Sequence, residues 1–237
     1  MTSDRSGEIE KASLGRQVQQ KLREDILFGR LSPGQLLRQE NLCQQFGISR
    51  MPVRDALRSL VAEGLVHRTE TGRLVVAELT SEDLDDMFHV EAVLHSFAAR
   101  KATVRASEQE VAQLGDLDAA MVRATDRGDS ATMADLNWRF HFCINHFARS
   151  SKLVAALRAV SLNIHREFLV EFPGWMSHSN EQHAGILRAM RTGRDVVAEE
   201  RMYTHVRESG VQILQMLEHG RAQVRDSAGT EKATGGS

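Results

Sequence analysis

Aromatic residues make up only 5% of this chain, with a single tyrosine, and there are three prolines in 237 residues. So little proline and so few strand-favouring aromatics, against a background of helix-forming side chains, argue against a β-rich fold and for an almost wholly α-helical one. The two cysteines, Cys43 and Cys143, stand in apolar helical patterns without ligand or redox spacing. That excludes a disulfide framework, and both read as small core residues. No run approaches the roughly eighteen consecutive apolar residues of a membrane span, and residues 1–10 are polar, without a secretory apolar core. The expected address is therefore the cytoplasm, with no membrane partner. A large charge of one sign is also missing. The net charge of −2 says nothing about nucleic acid by itself, but residues 1–78 carry net +2 and residues 79–237 carry net −4. The difference has the sign of a nucleic-acid-binding head on an acidic body.

What is present begins with the stretch Gly47-Ile48-Ser49-Arg50-Met51-Pro52-Val53-Arg54-Asp55-Ala56-Leu57-Arg58. Ser49 is a good helix N-cap, and Pro52 fits a first turn whose amides need no partner within the helix, so a helix is expected from Arg50. Val53, Ala56, Leu57 and Leu60 give it one apolar face, while Arg50, Arg54 and Arg58 repeat every four residues along another. Gln39 to Phe46 forms a short amphipathic helix before it, and Gly47 supplies the tight connection of a helix-turn-helix.

Around this pair the chain reads in order. Residues 1–11 look disordered. A first helix is expected from about Ala12 to Phe28, with Leu14, Val18, Leu22, Ile26 and Leu27 on its apolar face and Gly29 as its stop. Gly64 ends the arginine-bearing helix. Leu65 to Arg68 and Arg73 to Ala77 are short strands joined by Thr69-Glu70-Thr71-Gly72. Three helices and a hairpin over residues 12–78 define a winged helix-turn-helix. Residues 79–219 show six successive amphipathic helices, Glu82–Ala102, Glu108–Arg127, Ser130–Ala148, Lys152–Glu171, His178–Thr192 and Asp195–His219, with Ser81, Ser107 and Ser151 at starts. Residues 220–237 are polar and glycine-bearing and read as a disordered tail. The fold class is mainly α, a winged helix-turn-helix followed by an all-α six-helix bundle.

Most of the ten histidines read as ordinary side chains, but three differ. Asn137 and His141 are four apart on a face flanked by Leu136, Phe140 and Ile144; His183 shares a stripe with Ile186, Leu187 and Met190, and His205 with Met202, Ser209 and Ile213. Neutral imidazoles and an amide carbonyl suit a borderline divalent cation such as zinc, and bundle cores are places where such sites are built. Spacing alone leaves open whether they hold a metal or are core histidines bonded to neighbours.

Leu31-Ser32-Pro33-Gly34, the Gly47 to Leu57 stretch, Glu63-Gly64-Leu65-Val66 and Gly72 together resemble the N-terminal domain of GntR-family bacterial transcription regulators. By that resemblance Ser49, Arg50, Met51, Pro52 and Arg54 are DNA-contacting positions and Gly72 is the wing tip. The family often carries Glu-Arg before the first helix of the pair, where this chain has Gln39-Glu40, and Arg38 is the substitute for a phosphate contact there. Asn137-Trp138-Arg139-Phe140-His141, Glu181-Gln182-His183-Ala184-Gly185-Ile186-Leu187 and Met202-Tyr203-Thr204-His205 resemble the FCD ligand-binding domain of the FadR-type branch, and six helices resemble its VanR-type subgroup. In that domain an Asp or Asn and three histidines bind a divalent metal beneath a small-molecule pocket, which implies Asn137, His141, His183 and His205 as ligands, with zinc the expected ion. Where the family commonly has an arginine and, four residues on, a glutamate, this chain has Glu91 and His95. With Arg139 and Arg166 these complete the effector-binding candidates.

The resulting expectation is a homodimeric regulator of a pseudo-palindromic duplex DNA operator, responsive to a small carboxylate effector. Two alternatives stand beside it. One is a regulator that senses the metal itself. The other is a zinc-dependent hydrolase, since three histidines and one weak ligand leave an open metal position. Nothing places Glu167 or Glu171 beside the metal as a general base, and an enzyme leaves the winged helix unexplained.

Overall fold

A computed structural model describes residues 6–161 and 173–234, with side chains described over 14–161 and 174–222. In chain order the elements are α1 (Ser6–Leu27), α2 (Gln39–Phe46), α3 (Arg50–Ala62), β1 (Val66–Arg68), β2 (Leu74–Val76), α4 (Ser81–Arg105), α5 (Glu108–Asp126), α6 (Ser130–Phe147), α7 (Ser151–Val160), α8 (Pro173–Arg191) and α9 (Asp195–Thr234). They form two compact units, one holding residues up to Asp83 together with those from Leu214 onward, the other Leu84–Ile213. This is the mainly α arrangement that the sequence leads one to expect, a winged helix-turn-helix and a helical bundle.

In the first unit α1 packs along α3. Val18, Leu22, Ile26 and Leu27 of α1 and Val53, Ala56, Leu57 and Leu60 of α3 are all buried, so the two apolar stripes form one core. Leu14, expected on that stripe, is exposed instead. Gly47 closes α2 in the left-handed conformation, φ +64°, with its N–H bonded to the Cys43 carbonyl. The strands pair antiparallel in the register Val66↔Val76, His67↔Val75, Arg68↔Leu74, and Leu36 bridges to Val75 on the other edge. Gly72 turns the wing at φ +79°.

An ion pair that no local sequence pattern announces lies inside this unit. Arg23 of α1 donates through Nε to Glu63 Oε2 at 3.0 Å and through Nη2 to Glu63 Oε1 at 2.8 Å, and Gln19 also donates to Glu63. Both charged side chains are almost fully covered. The fork fixes α1 against the residue that closes α3.

The ends of the chain differ from expectation. Helix α1 begins at Ser6, inside the stretch read as disordered, and α9 runs to Thr234, beyond His219, where a tail without structure was expected. Past His219 the chain is held at Arg221. Leu217 is fully buried, and Arg221 donates through Nε to the Leu27 carbonyl at 2.8 Å and through Nη1 to the Leu79 carbonyl at 3.1 Å. The carbonyl at the end of α1 thereby gains a cationic donor that its own helix cannot supply.

The second unit is built from α4 to α9, six helices among the described residues. Its core joins Ala92 and Ala99 of α4, Leu114 and Met121 of α5, Phe140 and Ile144 of α6, Ile186 and Leu187 of α8, and Ala198 and Met202 of α9. Gly210 lets α9 approach α4 closely: a Cβ there would lie 2.7 Å from the Cβ and Cγ of the buried Phe88. Ser107 caps α5 in a full capping box with Glu110, as expected. At α4 the cap is Thr80 rather than Ser81, its Oγ1 accepting from the Asp83 amide at 3.0 Å while Asp83 accepts from the Thr80 amide at 2.8 Å. At α7 the cap position is Ser150 rather than Ser151. Helix α8 runs from Pro173, so it covers five residues before the expected His178. The end of the expected helix Lys152–Glu171 lies outside the described residues. Both cysteines are half-buried, and Cys143 packs against the core of the bundle as expected.

Glu63→Ala leaves the Arg23 guanidinium buried without its carboxylate, so it should destabilise the first unit by about 3 kcal/mol. Chemical denaturation of the full chain checks this; a loss well under 1 kcal/mol would show that the fork adds nothing to the head.

Candidate DNA interface and metal centre

The first candidate surface is the start of α3. Ser49 has the extended backbone of an N-cap, but its hydroxyl makes no capping bond, contrary to expectation, and the residue is exposed. Arg50, Met51 and Arg54 follow, all exposed. The Arg50 guanidinium lies 3.5 Å from Glu40 and that of Arg54 lies 3.9 Å from Asp55, both loose surface pairs that a phosphate could displace at little cost. Arg58 continues the exposed row. Arg38, directly before α2, is exposed too. Pro52 is the exception among the DNA-contacting candidates: it is buried, against the backbone of Gly15 in α1, so it shapes the helix start and offers no surface to a ligand. At the wing, the exposed Gly72 is held by Arg68, whose Nη1 donates to the Gly72 carbonyl at 2.7 Å. Arg68 and the exposed Arg73 flank the wing loop, and the sequence reading passed over both. Their alternation around a glycine-tipped hairpin was the available signal.

The second candidate lies in the bundle. His141 on α6, His183 on α8 and His205 on α9 bring their ring nitrogens within 4.8 Å of one another. His205 Nε2 is 3.1 Å from His141 Nε2 and 3.1 Å from His183 Nε2. Nitrogens about 2.05 Å from a tetrahedral ion would stand about 3.3 Å apart, close to what is seen. Burial, and then the charge of neighbouring His141, hold the His183 imidazole well below the ordinary histidine range. It is therefore neutral at neutral pH, the form that ligates metal. Asn137, one turn before His141, is buried, and its Oδ1 has no hydrogen-bond partner among the described residues. Three converging imidazoles fit a borderline divalent cation in chemistry and in spacing, and the orphaned Asn137 carbonyl oxygen fits it in chemistry.

Of the effector candidates, Glu91 and His95 are buried on α4 and lie beside the cluster. The His95 ring meets the His141 ring edge-on at 5.2 Å, His95 Nε2 is 3.7 Å from Glu91 Oε1, and the Ser161 hydroxyl donates to the same oxygen at 2.7 Å. Arg139 is exposed on α6, away from the inward face of Asn137 and His141. The structure does not bring it to the site. Arg166 lies outside the described residues, as do Glu167 and Glu171. Gln182, absent from the sequence candidates, touches His205, and Glu208, likewise absent, touches Gln182.

A head with an exposed arginine row on a helix-turn-helix, together with a helical bundle holding a polar cluster, defines a ligand-responsive DNA-binding regulator. Residues 14–76 match the family of bacterial regulatory proteins named gntR, and residues 86–208, about half of the chain, match the FCD domain. The chain belongs to the GntR family and carries an FCD domain. It is 26% identical over 207 residues to the Nta operon transcriptional regulator of Aminobacter aminovorans, covering 85% of this chain and 96% of that one. To the transcriptional regulator McbR of Escherichia coli it is 29% identical over 141 residues, 60% of this chain and 64% of the relative. The solved structure of E. coli McbR/YncC shares the fold at a TM-score of 0.64 and 23% identity, over 86% of this chain and 97% of that one. The matching families and relatives are regulators, not enzymes. No helix among the described residues is long and apolar enough to cross a membrane.

Arginine at the exposed positions of α3 can grip phosphate or pair bidentately with guanine, at about 1–3 kcal/mol per good base contact. Arg50→Ala and Arg54→Ala should each weaken operator binding about 5- to 150-fold in a titration at fixed salt, with helical content unchanged. Parent-like binding by both variants would remove α3 from the interface.

Proposed function

We propose that this chain is a homodimeric repressor or activator acting on a pseudo-palindromic operator in the cytoplasm, with operator affinity set by a small organic acid bound at a divalent ion in the bundle. Asn137, His141, His183 and His205 hold the ion, zinc by the chemistry of the donor set. The observation that carries this reading is the convergence of three Nε2 atoms from three helices. His205 has one in-plane lone pair on Nε2, and two imidazoles approach it at 3.1 Å. One lone pair serves two ring donors poorly, whereas a cation between the rings uses all three nitrogens. Such an ion supplies a positive charge, uncancelled by neutral ligands, to which an anionic oxygen can bind.

The α4 side of the cluster narrows the effector class. Glu91 and His95 put a carboxylate and an imidazole there, so a ligand whose carboxylate faces the ion should carry a hydroxyl able to donate to Glu91. A hydroxy acid meets both demands. It regulates only if it binds the DNA-competent and DNA-incompetent forms of the dimer unequally. A second copy of the chain has its own support. Val90, Val93, Phe97 and Val104 form an exposed apolar row along α4, Val104 being 73% exposed. An apolar row of that kind on a folded surface favours a protein partner, and two heads on one DNA site combine phosphate contacts that a single head of net +2 lacks.

Two outcomes test this. Phe97→Glu should turn a dimer into a monomer in light scattering at micromolar concentration, whereas a monomeric parent would reject the dimer. In zinc-loaded parent, hydroxy acids at a hundredfold excess over Kd should stabilise the fold by about 2.7 kcal/mol, read as a raised melting temperature. The response should vanish in His183→Ala/His205→Ala. Equal stabilisation of that variant would separate the effector from the cluster.

A further inference from the structure

We infer that Gln182 and Glu208 form a positioning relay that fixes the tautomer of His205 and so aims its Nε2 lone pair into the histidine cluster. Glu208 Oε2 receives two donors, Gln182 Nε2 at 2.5 Å and His178 Nε2 at 3.0 Å. An ionised carboxylate accepts only, so the end of the Gln182 amide that faces it is the NH2 group. The other end is then the oxygen, and it lies 2.8 Å from His205 Nδ1. An amide oxygen also accepts only. His205 Nδ1 therefore carries the ring proton, and in a neutral imidazole that leaves Nε2 as the lone-pair nitrogen. This is the nitrogen 3.1 Å from both of the other rings.

Local geometry makes the relay possible. Gln182 directly precedes His183 on α8, so one turn of helix supplies both a cluster histidine and the group that orients another. Glu208 lies three residues after His205 on α9, on the same face, where it can anchor the amide that holds the ring. Half of the Glu208 side chain is exposed, and Gln182 is only partly buried. Replacing either removes little core packing, which separates an orienting role from a structural one. Without the relay His205 is free to carry its proton on Nε2, and a metal must displace that proton before it binds.

The consequence for metal affinity rests on the metal reading above, while the tautomer is a property of the metal-free chain, so the two are measured separately. In metal-free, 15N-labelled full-length protein, multiple-bond proton–nitrogen correlation should give the Nδ1–H pattern for His205 in the parent and in Glu208→Gln, whose amide oxygen still accepts from Gln182. Gln182→Leu and Glu208→Leu should shift His205 toward the Nε2–H pattern. Zinc affinity by chelator competition should fall about 10- to 100-fold in Gln182→Leu and stay near the parent value in Glu208→Gln, with thermal melting close to the parent in all three. An Nε2–H pattern in the parent, or an unchanged Nδ1–H pattern in Gln182→Leu, overturns the relay. Unchanged zinc affinity in Gln182→Leu overturns its role toward the metal. A parent with the Nδ1–H pattern that takes up no zinc overturns the metal reading and leaves the tautomer assignment standing.

Discussion

Imidazoles from three different helices meet at 3.1 Å inside the bundle, and polar surface buried at that depth has to be satisfied from within the protein. Much of the second unit can be understood as answering that demand. Asn137, one turn before His141, buries a carbonyl oxygen without a hydrogen-bond partner among the described residues, His95 sets its ring edge against His141, and Gln182 holds His205 from behind. Close helix approach is what allows it. The fully buried alanines Ala92, Ala98, Ala99 and Ala102 line α4, and Gly210 lets α9 come against Phe88. Large side chains at those positions would push α4, with Glu91 and His95, off its neighbours in the bundle.

The head distributes its charge differently. Arg23 is spent on the core, in a fork with Glu63 that covers both partners. Arg50 and Arg54 stay in solvent with only loose acidic neighbours, and Arg68 stiffens the wing by bonding to the Gly72 carbonyl. A buried pair of this kind is strongly coupled and geometrically exact in its demands, whereas an exposed arginine with a 3.5 Å or longer partner gives up little when a phosphate replaces it. The same residue type thus serves the fold in one place and recognition in another, and burial decides which.

What was legible in the sequence follows from how local each determinant is. The start of α3 at Arg50, its stop at Gly64 and the wing around Gly72 were readable because capping, proline tolerance and positive φ are set within a few residues. Asn137 and His141 on one inward face were readable from helical periodicity. The cap of α4 was misread by one residue, because Thr80 and Ser81 are chemically alike and only backbone geometry distinguishes cap from first turn. Long-range pairings were invisible: Arg23 with Glu63, Arg221 with the end of α1, and Glu208 with Gln182 each join residues whose relation depends on the finished packing. Pro52 was assigned to the surface when it is buried, since its value to a helix start says nothing about which side faces solvent. The polarity of the last residues suggested a tail and carried no sign of the Arg221 bonds to the Leu27 and Leu79 carbonyls.

If the three histidines converge to hold a divalent ion, X-ray absorption at the metal edge of full-length protein loaded with zinc and dialysed free of excess ion should show it. About three imidazole nitrogens are expected among the nearest scatterers, at about 2.0–2.1 Å. No retained zinc, or the spectrum of a hydrated ion without imidazole scattering, would contradict it.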